Sequence, residues 1–151
     1  MLLQQIAEEA FRELGSPSTL SVPAVAFWLR NQIGSLNNLI RTSFVVSSDS
    51  INVTPEMTDN EKVILKKLLT VYYYDQKVIE NLGAAGIDTV LEVSSDGGTV
   101  RTASRNEISK SWLTFRRAAQ EDLDKLVAGY KANKVSPLQY IPGGYPVSGV
   151  C

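Results

Sequence analysis

The stretch from Ser104 to Lys134 constrains this chain more than any other. It holds no proline, and no glycine before Gly129. Ser104-Arg105-Asn106-Glu107 has the pattern of a capping box, in which the serine hydroxyl accepts from an amide of the first turn while Glu107 reaches back. After it, Ile108, Trp112, Phe115, Ala119, Leu123, Leu126 and Tyr130 recur at steps of three or four. That spacing lines one face of a helix about seven turns long. Beyond Lys134 the composition changes abruptly to SPLQYIPGGYPVSGVC, with prolines at 137, 142 and 146. Proline lacks the amide donor and clashes with the preceding turn, so a stiff helix here gives way to a segment that cannot be helical.

Composition bounds the rest. A chain of 151 residues with 44% hydrophobic and 21% charged residues fits a single soluble globular domain. Fifteen basic residues against sixteen acidic ones leave a net charge of -1, which argues against a protein whose main task is gripping a phosphate backbone. There is no histidine, so the commonest neutral-pH general base and the commonest metal ligand are both missing. The single cysteine, Cys151, lacks both a disulfide partner and the enclosed electropositive site that activates a thiolate. Carboxylates, lysines and tyrosines remain, but no catalytic, metal or cofactor motif gathers them; the expectation is a non-enzyme. No run nears the roughly 20 apolar residues that span a bilayer. The start lacks a signal peptide's basic region, so synthesis in the cytoplasm is expected.

From the N-terminus, Leu2, Leu3, Ile6, Ala10, Phe11 and Leu14 predict a short amphipathic helix, stopped by Gly15 and Pro17. Ser21 is placed to cap a second helix, with Pro23 in its first turn and Val25, Trp28, Leu29, Ile33, Leu36 and Ile40 on its apolar face. Gly34 weakens that helix by about 1 kcal/mol relative to alanine, or lets another backbone come close. Thr42 to Met57 is expected to be a loop or short extended segment: Phe44-Val45-Val46 is strand-like, and the serines and Asp49 after it break the run. Asn52-Val53-Thr54 matches a glycosylation acceptor, but without a secretion signal the match carries no weight.

A second capping box, Thr58-Asp59-Asn60-Glu61, opens a helix expected to run to about Leu82. Its apolar face is read as Leu65, Leu68, Tyr72, Ile79 and Leu82, with Asp75 intruding. A buried carboxylate needs a partner, either a tyrosine or arginine of a neighbouring helix or a polar group of another subunit. Tyr72, Tyr73 and Tyr74 point in three directions, so at least one should face a second surface; that marks them as an oligomer-interface candidate, tyrosine being enriched there. Leu91 and Val93, a turn at Asp96-Gly97-Gly98, then Val100 and Thr102 predict a β-hairpin between the two long helices. Neither this turn nor Gly143-Gly144 is flanked as a phosphate loop would be.

The tail is the second interaction candidate. Leu138, Tyr140, Ile141, Tyr145 and Val147 are too apolar for a segment meant only to be solvated. An extended aromatic strip of this kind docks in a groove or along a sheet edge, so Tyr140, Ile141, Pro142, Tyr145 and Pro146 are taken as partner-binding residues. The alternative is that the strip folds back over its own bundle. The expected fold is therefore mainly α: a four-helix bundle-like domain over residues 1–134, a small hairpin before the last helix, and an extended arm over 135–151.

The order of elements resembles the head–tail connector, or adaptor, proteins of tailed bacteriophages. The resemblance is carried by the opening IAEEAFRELG, the helix WLRNQIGSLNNLI, the helix beginning TDNEKVILKKLL, the hairpin LEVSSDGGTVR and the helix ending LDKLVAGYKANK. It covers nearly the whole chain through its plan rather than one motif. It implies a virion protein at the head–tail interface, without cofactor or metal, in a ring of roughly twelve identical subunits with heterologous contacts. It further implies a portal protein above, a stopper or tail-completion protein below, and genomic DNA passing through without specific binding. A tail-completion or stopper protein and a non-virion helical regulatory module are the competing readings.

Overall fold

The computed structural model describes residues 3–49, 52–84, 92–95, 98–101 and 105–135. Four helices dominate: α1 (Leu3–Glu13), α2 (Val22–Ile40), α3 (Asp59–Ala84) and α4 (Arg105–Lys134). Two antiparallel ribbons accompany them, β1 (Val45–Val46) with β2 (Val53–Thr54), and β3 (Glu92–Ser95) with β4 (Gly98–Arg101). The expected mainly α architecture, with a hairpin between the last two helices, is what the chain adopts. The arm over 136–151, with Tyr140, Ile141, Pro142, Tyr145 and Pro146, lies outside the described residues.

The first two helices follow their local signals. α1 ends in a Schellman motif: Gly15, at φ 82°, donates to Arg12, and Ser16 donates to Phe11. The Ser21 hydroxyl accepts from the Ala24 amide at 3.4 Å, opening α2 with Pro23 in its first turn. Val25, Leu29, Ile33, Leu36 and Ile40 are buried as expected, against Leu3, Ile6, Ala7 and Ala10 of α1 and Ile64, Leu65 and Leu69 of α3. At its far end α2 closes without glycine: Arg41 takes the left-handed conformation itself, at φ 55°.

Asn37 directs the chain out of α2. Its Oδ1 accepts from the Phe44 amide at 2.8 Å and from the Thr42 hydroxyl at 3.1 Å, and its Nδ2 donates to the Phe44 carbonyl at 2.8 Å. One side chain thus satisfies both backbone groups of Phe44, which is buried. The strand-like reading of Val45-Val46 holds in the β1–β2 ribbon that follows, but its pairing with Val53–Thr54 was not foreseen. Its pairs are Val45 with Thr54 and Val46 with Val53, two residues per strand, too short for an alternating pattern to declare itself.

α3 is the central helix, packed against α1, α2 and α4, with α2 also touching α4. Lys66 ties it to α1 through Glu13 at 2.6 Å and Glu9 at 3.3 Å. The buried apolar residues of α3 are Ile64, Leu65, Leu69, Val71, Tyr73 and Val78, so the expected stripe needs correction: Ile79 is exposed. The stripe of α4 also shifts. Ala119, Leu123 and Tyr130 are buried with Ser109 and Val127, whereas Ile108, Phe115 and Leu126 face outward. At about 100° per residue the buried arc is centred roughly 50° from the expected one. The β3–β4 register sets Glu92 opposite Arg101 and Ser95 opposite Gly98, so Gly98 begins a strand and only residues 96 and 97 separate the two.

A Cβ built on Gly34 meets nothing within 4 Å, so no neighbouring backbone requires glycine there. Gly34→Ala should therefore stabilise the chain by about 0.5–1 kcal/mol in urea unfolding; a loss of stability would mean that something approaches this face.

Candidate functional site

The tyrosine run uses its three directions within one subunit. Tyr72 meets Trp28 of α2 edge-on with ring centres 5.2 Å apart. Tyr73 is buried and faces Trp112 of α4 at 6.5 Å. Tyr74 lies between Trp112 at 5.8 Å and Phe115 at 6.1 Å. Within the subunit the run thus meets two helices, α2 through Tyr72 and α4 through Tyr73 and Tyr74. Tyr74 is only half-buried and Phe115 is 53% exposed, so the aromatic layer reaches solvent at that edge.

Asp75 accepts from Arg116 Nε of α4 at 2.8 Å. This is the arginine of a neighbouring helix that one expectation required. Both side chains are about 40% exposed, so the pair ties α3 to α4 at the rim rather than in the core.

Two apolar surfaces remain on the outside. Between α1 and α2 lies a groove of about 630 Å³ with Phe11, Val22, Pro23, Ala26 and the exposed Phe27 along it, edged by Glu8, Arg12 and Arg30. The other follows the line where α3 meets α4. Val63 and Leu126 stand between two shallow hollows of about 310 and 320 Å³, one reaching Tyr130 and Asn133 and the other Leu14, Thr70 and Tyr74. Further along are Phe115 and Ile108. Beside this seam Lys67 is paired with Asp122 at 2.9 Å and Lys66 with the α1 glutamates, while Lys125 lines the hollow that reaches Tyr130.

At the seam's end sits the group that sequence reading undervalued. Glu61 completes its capping box, accepting from the Thr58 amide at 2.7 Å. It is also 5% exposed and accepts from the Tyr130 hydroxyl of α4, with Lys134 Nζ 4.0 Å away. Burial pushes the Glu61 carboxyl upward, but the bonds from Tyr130 and Thr58 and the Lys134 charge outweigh it and hold it below its usual value. The Tyr130 hydroxyl is pushed up, first by burial and then by its bond to the carboxylate. Lys134 also stands over the Tyr130 ring, 5.0 Å from its centre. The spacing Tyr130–Lys134 with a capping glutamate was legible in the sequence; that the two ends meet was not.

Chemically this arrangement is a clamp, a carboxylate with a hydrogen bond already held on each oxygen. Among the described residues no group of three or more carboxylate, cysteine or histidine side chains could hold a metal. Glu121, Asp122 and Asp124 are exposed, with Asp122 bound to Lys67 and Asp124 accepting from Gln120. No described helix is long and apolar enough to cross a membrane. No family model, curated protein or solved structure matches the chain.

A folded-state carboxyl held below its unfolded value contributes stability that is present above the unfolded pKa and is lost as pH falls through the folded one. Unfolding free energy should thus drop as pH falls below the ordinary glutamate value of about 4.3. Glu61→Gln should flatten part of that drop; an unchanged acid profile in urea titrations would mean that the clamp does not form.

Proposed function

We propose that this chain is a structural connector of a tailed-bacteriophage neck, a ring-forming adaptor beneath the portal that extends the DNA channel. The supporting observation is the pair of apolar surfaces with no lining residue in common, the α1–α2 groove around Phe27 and the α3–α4 seam around Leu126 and Phe115. A closed ring of identical subunits needs two different faces on each copy, because its contacts are heterologous. A lone helical module binding one partner needs only one. The order of helices and hairpin that resembles the connector family supports the same reading, with a portal and a stopper or tail-completion protein as end-on partners.

In this reading Tyr74, with Phe115, is the part of the tyrosine run that meets a neighbouring subunit, while Tyr72 and Tyr73 serve the subunit's interior. The arm residues Tyr140, Ile141, Pro142, Tyr145 and Pro146 bind a partner. Genomic DNA passes without tight binding, since a net charge of -1 offers few phosphate contacts to release counterions.

Multi-angle light scattering at rising concentration, alone and with the portal present, should reveal ring-sized species. Duplex DNA should bind weakly and without sequence preference, and what binding there is should weaken further as salt rises. A strict monomer under every condition would overturn the connector reading, and tight binding to one defined duplex at physiological salt would favour the regulatory alternative.

A further inference from the structure

We propose that the α3–α4 seam is the receptor for the arm, residues 136–151, of a second copy of this chain. The inference rests on the ring reading and names the contact by which one subunit would hold the next.

The seam's chemistry selects an uncharged, apolar occupant. Val63, Leu126, Phe115 and Ile108 are all at least 36% exposed, and the neighbouring Lys66 and Lys67 are already paired. A charged segment would find no free counter-charge at those lysines. The arm has no acidic or basic side chain, and its large residues are leucine, isoleucine, tyrosine and valine apart from Gln139. Spacing agrees as well. Leu126 and Phe115 are eleven helical residues apart, about 16 Å at 1.5 Å per residue. Tyr140 and Tyr145 are five residues apart, also about 16 Å in an extended chain. With Tyr140 over Val63 and Leu126, Tyr145 reaches Tyr74 and Phe115. Gly143 and Gly144 then cross the intervening stretch without adding side chains.

Sequence at the helix exit favours a second copy over the arm's own subunit. The Val135 amide donates to Lys131 at 3.0 Å, continuing the helical direction past Lys134. Next come Ser136 and Pro137, and a residue before proline favours extended backbone. Neither glycine nor asparagine follows Lys134 before Gly143 to turn the chain back on itself in a left-handed cap. The sequence at this exit thus favours an arm directed away from its own bundle.

The test places a photoreactive benzoylphenylalanine at Phe115 in the full-length protein and mixes isotope-labelled with unlabelled chains before irradiation. Cross-linked peptides should join α4 of one isotopic form to residues 138–147 of the other. In parallel, Tyr140→Ala/Tyr145→Ala and Leu126→Asp should each raise the concentration needed for assembly at least tenfold while leaving the helical circular dichroism unchanged. Cross-links confined to single chains would overturn the proposal in favour of an arm that covers its own seam. Cross-links to other segments, or unaltered assembly by both variants, would overturn it while leaving the ring reading standing. Failure of the parent chain to assemble at all, with no cross-link between chains, would remove both.

Discussion

The arrangement of α3 and α4 depends on a carboxylate that is out of water. Glu61 belongs to the first turn of α3, yet its outer oxygen is held by a tyrosine in the last turns of α4. The two helices are antiparallel, joined in sequence through the β3–β4 region, so their other ends have no covalent reason to stay together. Glu61 joins those ends while also capping α3 through Thr58. Burying such a group unpaired costs several kcal/mol, whereas bonds to a charged group return about 1.5–3 kcal/mol each. The carboxylate is therefore tolerable only where both partners are in place. That requirement defines how far α4 slides and how it is rotated.

The rotation in turn decides what is left outside. α4 carries an apolar arc wider than the face it buries. With Tyr130 directed at Glu61 and Arg116 at Asp75, the helix turns Leu123 and Val127 inward. Ile108, Phe115 and Leu126 are consequently on the flank. On α3, Val63 and Tyr74 end beside the same line. An exposed hydrophobic residue taken singly needs no explanation, but a row across two helices marks an interaction surface. The surface is thus a consequence of polar contacts at two heights of the helix pair.

Much of the fold was legible where one local signal acted alone. Gly15 stops α1, Ser21 caps α2, and the apolar positions of α2 are buried as spaced. The stripes of α3 and α4 were less legible because spacing at three and four residues fits several adjacent lines on a helix with a broad apolar arc. Only cross-helix partners choose among them, and those partners are separated by 41 residues for Asp75–Arg116 and 69 for Glu61–Tyr130. Val45-Val46 read as strand-like, but its partner strand escaped notice because Asn37, a helix residue, supplies the hydrogen bonds that hold the ribbon's entry. Of the candidate site, the tyrosine run was found but its partners were not. Glu61 looked like an ordinary cap because nothing in a capping box says whether its carboxylate is wet or dry.

The placing of α4 on α3 stands on the coupling between Glu61 and Tyr130. A double-mutant cycle with Glu61→Gln and Tyr130→Phe, read by urea unfolding, measures it directly. Residues sharing a buried hydrogen bond should show a coupling of at least about 1 kcal/mol, with the double variant losing less than the two single losses combined. Losses that add to within about 0.3–0.5 kcal/mol would contradict it, since residues that do not interact behave in that way.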